Sequence, residues 1–269
     1  MIKKAIFFDV DGTQVASNQG VHVPSDKTRE TITKMHQLGH IPVVSTGRPI
    51  TMLDNTITDM DFAGYICSAG AYVVLNGKVI VDSPIPSELT QQFFDAAIEK
   101  GIFIFAESTE YVYTPIEQLQ SWQQFFEEGR LLPKDKVLAE TNISDKRIYK
   151  LFTRSSDISA FSELKEMFKN SFRFNTAFCK DDVIGTDVIY NKYSKATGIK
   201  AITNALHIKK EDTYAIGDGT NDIEMFEVVG CGIAMDNAAE ELKEISTFIT
   251  TDVANEGIYQ AFSKMNWMK

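Results

Sequence analysis

The chain has 269 residues, of which 43% are hydrophobic and 24% are charged, and its formal net charge is -10. This composition is typical of a globular protein that is long enough for one or two domains with substantial cores. The acidic balance argues against a nucleic-acid partner, which requires clustered lysine and arginine. It is compatible with a phosphorylated metabolite, because one lysine and a metal ion can reverse the sign of the charge locally.

The cysteines indicate a reducing compartment. Cys67, Cys179 and Cys231 are far apart in the sequence, and no two of them form a Cys-x-x-Cys pair. The sequence shows no signal peptide and no apolar stretch of membrane-spanning length. We therefore expect a cytoplasmic protein without a membrane partner, whereas the sequence makes no prediction of the oligomeric state.

The first strong element is the apolar stretch from Ala5 to Phe8, which ends at two carboxylates, Asp9 and Asp11. A short run rich in isoleucine and phenylalanine predicts a strand that is buried on both faces. The i, i+2 spacing places both carboxylates on the same side of the strand end. Gly12 then permits a sharp bend. Because aspartate and glycine are also common in ordinary turns, this segment indicates a site only together with the segments that follow.

The next segments predict part of a parallel sheet. Residues 26–38 have apolar side chains at helical spacing, and residues 41–44 form a second apolar run that stops at the polar residues 45–48. Strand, helix and strand predict a right-handed βαβ unit, in which ligands bind beyond the carboxyl ends of the strands. A third strand over 65–67 and a hairpin over 72–81, with Asn-Gly at its turn, follow.

The pattern changes near residue 83, where helices begin to alternate with pairs of strands. The predicted helices span 88–100, 122–128 and 158–168, and the predicted strands span 102–106, 111–113, 147–153, 172–178 and 183–190. Helices interleaved with hairpins favour an α+β insert with an antiparallel sheet. We therefore predict a core formed by residues 1–82 and 191–269, and an α+β cap formed by residues 83–190.

After residue 190 single strands and helices alternate again. A helix is predicted from Ser194 to Ala205, with Lys195 in its first turn, and the next strand ends at Asp218 and Asp222. The predicted strands are 213–216, 231–235 and 248–250, and the remaining predicted helices are 238–245 and 258–264. The whole pattern predicts an α/β fold, with a Rossmann-like parallel sheet core and an inserted α+β cap domain.

The carboxylates at the predicted strand ends would repel one another. Asp9, Asp11, Asp218 and Asp222 can bring four negative charges together, and Lys195 supplies one positive charge. At about 4 Å each like-charge pair costs about 4 kcal/mol at an effective dielectric of 20. The cluster therefore requires a divalent cation or strongly raised pKa values. Oxygen ligands without histidine or cysteine select a hard ion, for which Mg²⁺ is the expected choice.

Four segments resemble, in their order and spacing, the four motifs of the haloacid dehalogenase superfamily. They are Asp9-Val-Asp-Gly-Thr13, Ser45-Thr-Gly-Arg48, Lys195 and Gly217-Asp-Gly-Thr-Asn-Asp222. The large insert between the second and third segments resembles the Cof-type (IIB) sugar-phosphatase branch, and the resemblance covers essentially the whole chain. The sequence departs from the usual pattern at Gln14, Ala69 and Ala196, where the family usually has leucine, asparagine and glycine. The second departure concerns the substrate range rather than the reaction.

The resemblance implies a Mg²⁺-dependent phosphatase that hydrolyses small phosphorylated metabolites, sugar phosphates foremost, through an aspartyl-phosphate intermediate. Asp9 would be the nucleophile, and Asp11 would be the general acid and then the general base. Mg²⁺ would be held by Asp9, the backbone carbonyl of Asp11, and Asp218. The residues implied to bind the phosphoryl group are Val10, Thr46, Gly47, Lys195 and Asn221, and those implied to support the site are Asp222, Thr13 and Arg48.

Two alternatives remain open from the sequence. A phosphomutase of the same superfamily would pass the phosphoryl group from the aspartate to a second hydroxyl instead of to water. A non-catalytic phosphoryl-receiver or ligand-sensing module would also gather aspartates and one lysine at the strand ends of a parallel sheet. Receivers are typically much shorter and lack a large insert, which favours the enzyme.

Overall fold

The computed structural model describes residues 2–16, 19–129, 131–180 and 182–268. The chain divides into two compact units. The core unit comprises Met1–Gly47, Asp54–Asp82 and Ser194–Lys269, and the insert unit comprises Arg48–Leu53 and Ser83–Tyr193. No helix in the described part of the chain is long and apolar enough to cross a membrane.

Strands and helices alternate along the chain. The strands are β1 (Ala5–Phe8), β2 (Ile41–Ser45), β3 (Gly64–Cys67), β4 (Tyr72–Leu75), β5 (Lys78–Asp82), β6 (Phe103–Glu107), β7 (Val112–Thr114), β8 (Val137–Ala139), β9 (Lys150–Ser155), β10 (Phe172–Lys180), β11 (Val183–Tyr190), β12 (Thr213–Gly217), β13 (Cys231–Ala234) and β14 (Phe248–Ile249). The α-helices are α1 (Asp26–Gln37), α2 (Asn55–Thr58), α3 (Ser87–Glu99), α4 (Leu119–Glu128), α5 (Ile158–Phe168), α6 (Lys195–Leu206), α7 (Ile223–Val228), α8 (Glu240–Ile245) and α9 (Gly257–Phe262).

Within the described residues, the core unit contains an eight-stranded sheet in the order β14-β13-β12-β1-β2-β3-β4-β5. The strands from β14 to β3 are parallel, and β4 and β5 continue the sheet as an antiparallel hairpin. Phe8 of β1 is in register with Ile216 of β12 and Val44 of β2, so the carboxyl ends of these strands lie side by side. This parallel-rich core confirms the predicted α/β class.

Helices cover both faces of β1, which is why its residues are all apolar and fully buried. On one face Phe7 packs in a cluster with Ile199 of α6, and on the other Phe8 packs with Ile32 of α1 and Phe262 of α9. Burying a side chain of this kind stabilises the fold by about 1.5–3 kcal/mol. The central strand, from which the candidate site begins, is therefore firmly held.

Over the residues that the structure describes, the insert unit contains a six-stranded sheet in the order β10-β11-β9-β6-β7-β8. Ile104 and Leu151 pack on one face with Phe93 of α3, whereas Phe105 packs on the other face against Trp122 of α4. The pairs are antiparallel as predicted, except that β7 and β8 are parallel. Strand β8 was not predicted, because its three residues show one buried and two exposed positions without an alternating pattern.

Several predicted boundaries differ from the observed ones, and hydrogen bonds explain two of the differences. The strand predicted over 147–153 begins at Lys150, because the carbonyl of Ile148 accepts a hydrogen bond from Ile85, outside the sheet. The helix predicted over 238–245 begins only at Glu240, because the N–H of Ala239 donates to the carbonyl of Asp218 at 2.8 Å. That second bond attaches the start of α8 to the loop after β12.

The insert unit also contains a buried ionic cluster. Lys150 of β9 lies between two carboxylates, with its Nζ 3.2 Å from Glu107 Oε1 and 2.6 Å from Asp187 Oδ1. Lys150 and Glu107 are buried, whereas Asp187 is partly exposed. Burial raises the pKa of Glu107 to about 7, because the attraction of Lys150 only partly offsets the loss of hydration, and Asp187 adds repulsion.

Candidate active site

The turn after β1 places Asp9 at the end of the strand. The N–H groups of Thr13, Gln14 and Val15 all donate to the carbonyl of Val10, at 3.3, 2.8 and 3.0 Å. Three donors on one carbonyl close a tight loop of the Asp-Val-Asp-Gly-Thr segment. Asp9 is buried at its base, and its neighbour Val10 is also fully buried.

Lys195 reaches this end of β1 from the start of α6. The helix begins with a capping box, in which the Oγ of Ser194 accepts from the N–H of Thr197 at 3.3 Å and the Oγ1 of Thr197 accepts from the N–H of Ser194 at 3.0 Å. The Nζ of Lys195 lies 2.6 Å from Asp9 Oδ1 and 2.5 Å from Asp222 Oδ1. A lysine in the first turn faces the positive end of the helix dipole, so these two carboxylates are needed to offset that repulsion.

Asp222 connects Lys195 to the loop after β12. Its Oδ1 accepts from Lys195, and its Oδ2 accepts from the N–H groups of Asp218 and Gly219 at 3.0 and 3.1 Å. The side chain is fully buried. Since both carboxylate oxygens already accept hydrogen bonds, Asp222 chiefly orders the loop that carries Asp218.

Asp218 is held by two side chains and by a close approach of the backbone. Its Oδ1 accepts from the Oγ1 of Thr13 at 3.1 Å, and its Oδ2 lies 3.4 Å from the Nδ2 of Asn237, which also donates to the carbonyl of Gly12 at 2.8 Å. Gly12 has a φ of +79°, and a Cβ on it would lie 1.9 Å from Asp218 Oδ2. Only glycine fits at this position.

The sequence analysis gave no role to Asn237. The residue follows the carboxyl end of β13, at the same edge of the sheet as the other site residues. The rule that polar residues after parallel strands converge could therefore have identified it.

The charges of the site are unbalanced. Burial and the nearby Asp222 raise the pKa of Asp9 well above its ordinary value, and the same two causes raise the pKa of Asp218 to about 7. Burial alone would lower the pKa of Lys195, but Asp222 and Asp9 more than offset it and raise that pKa. Lys195 therefore stays charged, whereas Asp9 and Asp218 lose their protons less readily than ordinary carboxyl groups. A bound cation would favour the ionised form of both carboxylates.

Three carboxylates of the site could hold a divalent metal ion. Asp9, Asp218 and Asp222 each offer a carboxylate oxygen, and these three atoms lie within 4.8 Å of one another. Oxygen donors of this kind suit a hard divalent cation. Among the described residues, Asp11 is exposed and its side chain is not part of this cluster.

The remaining predicted residues lie in different surroundings. Thr46 is buried after β2, where its N–H donates to the carbonyl of Ile66 at 2.8 Å, and Gly47 follows it. Asn221 is exposed in the turn after β12. Arg48 belongs to the insert unit, where its Nη1 donates to the carbonyl of Met52 at 3.3 Å.

The departures from the usual pattern have distinct structures. Gln14 is buried, and its Nε2 donates to the backbone carbonyl of Asp9 at 2.9 Å. Ala69 follows β3 with a φ of +53°, between Ser68 at +47° and Gly70 at +96°. A left-handed conformation is unfavourable for alanine and acceptable for asparagine. Ala196 is buried in α6.

The chain is similar to several known proteins. The model of the haloacid dehalogenase-like hydrolases matches residues 6–262. YkrA of Bacillus subtilis (strain 168) is 29% identical over 272 residues, which is 100% of both chains. The 5-amino-6-(5-phospho-D-ribitylamino)uracil phosphatase YwtE of the same organism is 24% identical over 277 residues, which is 95% of each chain. The solved structure of the subclass IIB sugar phosphatase BT4131 is 25% identical, with a TM-score of 0.80 over 97% of this chain and 98% of that chain.

Proposed function

This chain is a phosphatase of the haloacid dehalogenase-like hydrolase family, and we propose that it hydrolyses small phosphorylated metabolites, sugar phosphates foremost, through an aspartyl-phosphate intermediate that requires Mg²⁺. The observation that carries the proposal is the position of Lys195 between Asp9 and Asp222, beside a third carboxylate. Phosphoryl transfer depends mainly on positioning and on neutralising charge, and this arrangement supplies both.

In the first half of the reaction, an oxygen of Asp9 attacks phosphorus and the bond from phosphorus to the leaving oxygen breaks. Lys195 favours the ionised form of Asp9, which the attack requires. Asp11 gives its proton to the leaving alkoxide. Its carboxyl group is exposed, so it can also exchange protons with solvent.

In the second half, Asp11 removes a proton from water, and the water oxygen attacks the phosphorus of the aspartyl phosphate. The bond from phosphorus to Asp9 breaks, and inorganic phosphate leaves. Asp9, the carbonyl of Asp11, and Asp218 would hold Mg²⁺, which neutralises the charge of the phosphate as its negatively charged nucleophile approaches. The groups that would bind phosphoryl oxygens are the N–H groups of Val10 and Gly47 and the side chains of Thr46, Lys195 and Asn221.

The choice of substrate class rests on the relatives. YwtE acts on a phosphorylated ribitylaminouracil and BT4131 is a sugar phosphatase, as their names state. The substrates that these names indicate are small phosphomonoesters. The acidic balance of this chain also disfavours nucleic acid as a substrate. Cys67, Cys179 and Cys231 are free thiols, as expected for the cytoplasm, which we propose as the compartment.

We further propose that residues 83–190 act as a cap that selects among these substrates. The motif residues contact the phosphoryl group, which every phosphomonoester shares, so they cannot discriminate between leaving groups. Each contact between the cap and the leaving group can change the relative kcat/KM of two substrates by an amount equivalent to about 1–3 kcal/mol. The sequence departure at Ala69, where a polar side chain is usual, is a further reason to expect an unusual substrate range.

The proposal is tested by a panel of phosphorylated metabolites with Mg²⁺, scored by the release of inorganic phosphate. We expect sugar phosphates to give the highest kcat/KM, and removal of Mg²⁺ with EDTA to abolish turnover. The Asp9→Asn variant serves as the inactive control, because an amide is neither a nucleophile nor a good ligand for Mg²⁺. Substantial turnover by a folded Asp9→Asn variant, or equal turnover in EDTA, would contradict the proposal.

A further inference from the structure

The side chain of Gln14 makes a contact that the reaction scheme above does not use. The residue is 1% exposed and lies in the loop directly after β1. Its Nε2 donates to the backbone carbonyl of Asp9 at 2.9 Å. Its Oε1 is also buried, and the described residues provide no hydrogen-bond donor for it. Half of this carboxamide is therefore paired, and the other half is not.

A buried acceptor without a donor is unfavourable for the folded state. An apolar side chain of similar size would fill the same space without that penalty. Packing alone thus does not explain a glutamine at position 14, and the contact with the Asp9 carbonyl is the feature that an apolar residue could not supply.

The Asp9 carbonyl and the Val10 N–H belong to the same peptide group. A peptide group is planar and its C=O and N–H point in opposite directions, so a hydrogen bond that fixes the oxygen also fixes the direction of the N–H. A donor on the oxygen also polarises the group and strengthens its N–H as a donor. Gln14 therefore acts on the Val10 N–H through the Asp9 carbonyl.

We propose that Gln14 is a positioning residue, which orients and strengthens the Val10 N–H for the phosphoryl group as it is transferred. The inference rests on the proposed function, in which the Val10 N–H binds a phosphoryl oxygen. An interaction that is strongest during transfer raises kcat and leaves KM nearly unchanged. Loss of the Gln14 amide should therefore lower kcat and weaken the binding of transition-state analogues.

The test compares Gln14→Met with the wild type. Methionine keeps the length of the side chain and removes its amide. The variant thus loses the unpaired buried acceptor Gln14 Oε1, but it leaves the Asp9 carbonyl without the donor Gln14 Nε2. We therefore expect an unchanged thermal unfolding midpoint. With p-nitrophenyl phosphate as substrate, kcat should fall by about tenfold, by analogy with the loss of a group that orients a metal ligand.

Inhibition separates a positioning role from a structural one. Orthovanadate adopts the five-coordinate geometry of the transferring phosphoryl group, whereas inorganic phosphate resembles the product. For Gln14→Met the inhibition constant of orthovanadate should rise by about the same tenfold factor. The inhibition constant of phosphate should change by less than about twofold.

Gln118→Met is the matched control. Gln118 also bonds to backbone groups, since its Oε1 accepts from Ile104 and its Nε2 donates to Ile102, but it lies in the insert unit. This variant should lower the unfolding midpoint and leave the ratio of the two inhibition constants unchanged.

Several results would overturn the inference. They are an unchanged kcat for Gln14→Met, equal weakening of orthovanadate and phosphate, or a lowered midpoint with the two constants in their original ratio. If the wild type turns over no phosphomonoester, the proposed function fails and this inference fails with it. Turnover by the wild type that Gln14→Met leaves intact overturns the inference alone.

Discussion

Asp222 Oδ1 lies 2.5 Å from the Nζ of Lys195, and both side chains are buried. Because the same lysine contacts Asp9, a single positive charge offsets two buried carboxylates. Burying charges without compensation is costly, so the site depends on this lysine for its stability as well as for its chemistry.

Replacing Lys195 with methionine should therefore destabilise the protein and abolish turnover. Removing one member of a buried ionic cluster costs about 3–5 kcal/mol, because the remaining charges lose their partner. Urea unfolding in EDTA measures the change in free energy. Lys200→Met, at an exposed position of the same helix, is the control and should change the free energy of unfolding by less than about 0.5 kcal/mol. Equal stability of the two variants would contradict the role of Lys195.

Asp11→Asn should separate the two halves of the reaction. The variant keeps the nucleophile Asp9 but lacks the base that activates water. With p-nitrophenyl phosphate, whose leaving group needs little protonation, a phosphoryl adduct should accumulate on Asp9. Mass spectrometry after a short pulse detects the adduct, and Asp9→Asn is the control that cannot form it. Failure to trap any adduct on Asp9 would show that the role given to Asp11 is wrong.

Asn237→Ala should weaken the binding of Mg²⁺. Its amide contacts Asp218 and the Gly12 carbonyl, so its loss frees both the expected ligand and the loop beside it. Loss of a group that orients a metal ligand typically costs about 10–100-fold in metal affinity or activity. The measurement is the Mg²⁺ concentration that gives half-maximal turnover. Asp236→Asn, an exposed neighbour, is the control, and an unchanged Mg²⁺ requirement in Asn237→Ala would contradict the prediction.

The stability of the protein should fall as the pH rises from about 5 to about 8. Glu107 has a pKa of about 7 when folded, against an ordinary 4.5, so the native state binds its proton more tightly than the unfolded chain does. Glu107 contributes about 3 kcal/mol to the free energy of unfolding at pH values below its ordinary pKa. This contribution is lost as the pH rises through 7.

Glu107→Gln should make this pH dependence shallower, because an amide does not titrate. Asp9 and Asp218, whose pKa values are also raised, retain their own contributions in the variant. Urea unfolding at several pH values, followed by tryptophan fluorescence, gives the slope. Glu163→Gln, an exposed position in the same unit, should retain the slope of the wild type. A slope in Glu107→Gln equal to that of the wild type would contradict the contribution given to Glu107.

Ala69→Gly should stabilise the protein by about 0.5–1 kcal/mol, because glycine relieves the left-handed strain of alanine at a φ of +53°. Ala196→Gly should have the opposite sign, with a loss of about 0.5–1 kcal/mol, because glycine is unfavourable inside a helix. Thermal unfolding of both variants measures the difference. A shift in the same direction for both would indicate that backbone strain at position 69 is negligible.

The meeting of Asp9 and Asp218 was predictable because parallel strands carry their following loops to one edge of a sheet. Lys195 begins a helix after the insert and follows no strand of the parallel sheet, so only the family resemblance pointed to it. Polar residues directly after buried apolar runs were a sufficient signal. Gly12 was predicted only as a bend, since its second role depends on an approach to Asp218 that no local pattern shows.

The contacts of Glu107, Lys150 and Asp187 could not be predicted. Charged residues in alternating strands normally indicate a face in contact with water. Here the register of β9 with β6 and with β11 brings three distant segments together and buries two of the charges. The contact of Gln14 with Asp9 escaped prediction for a related reason, since it depends on the detailed path of one turn.

The place of β1 in the sheet has a consequence for the order of folding during synthesis. β1 lies between β2, which is made soon after it, and β12, which begins only at Thr213. One edge of β1, the strand that precedes Asp9, therefore stays without its partner while most of the chain is translated. All strands of the insert unit's sheet, in contrast, lie within Ser83–Tyr193, so they can pair before that edge is closed. Until β12 is made, the nascent chain thus has an apolar half-sheet with an open edge, and such unpaired edges are prone to misassembly.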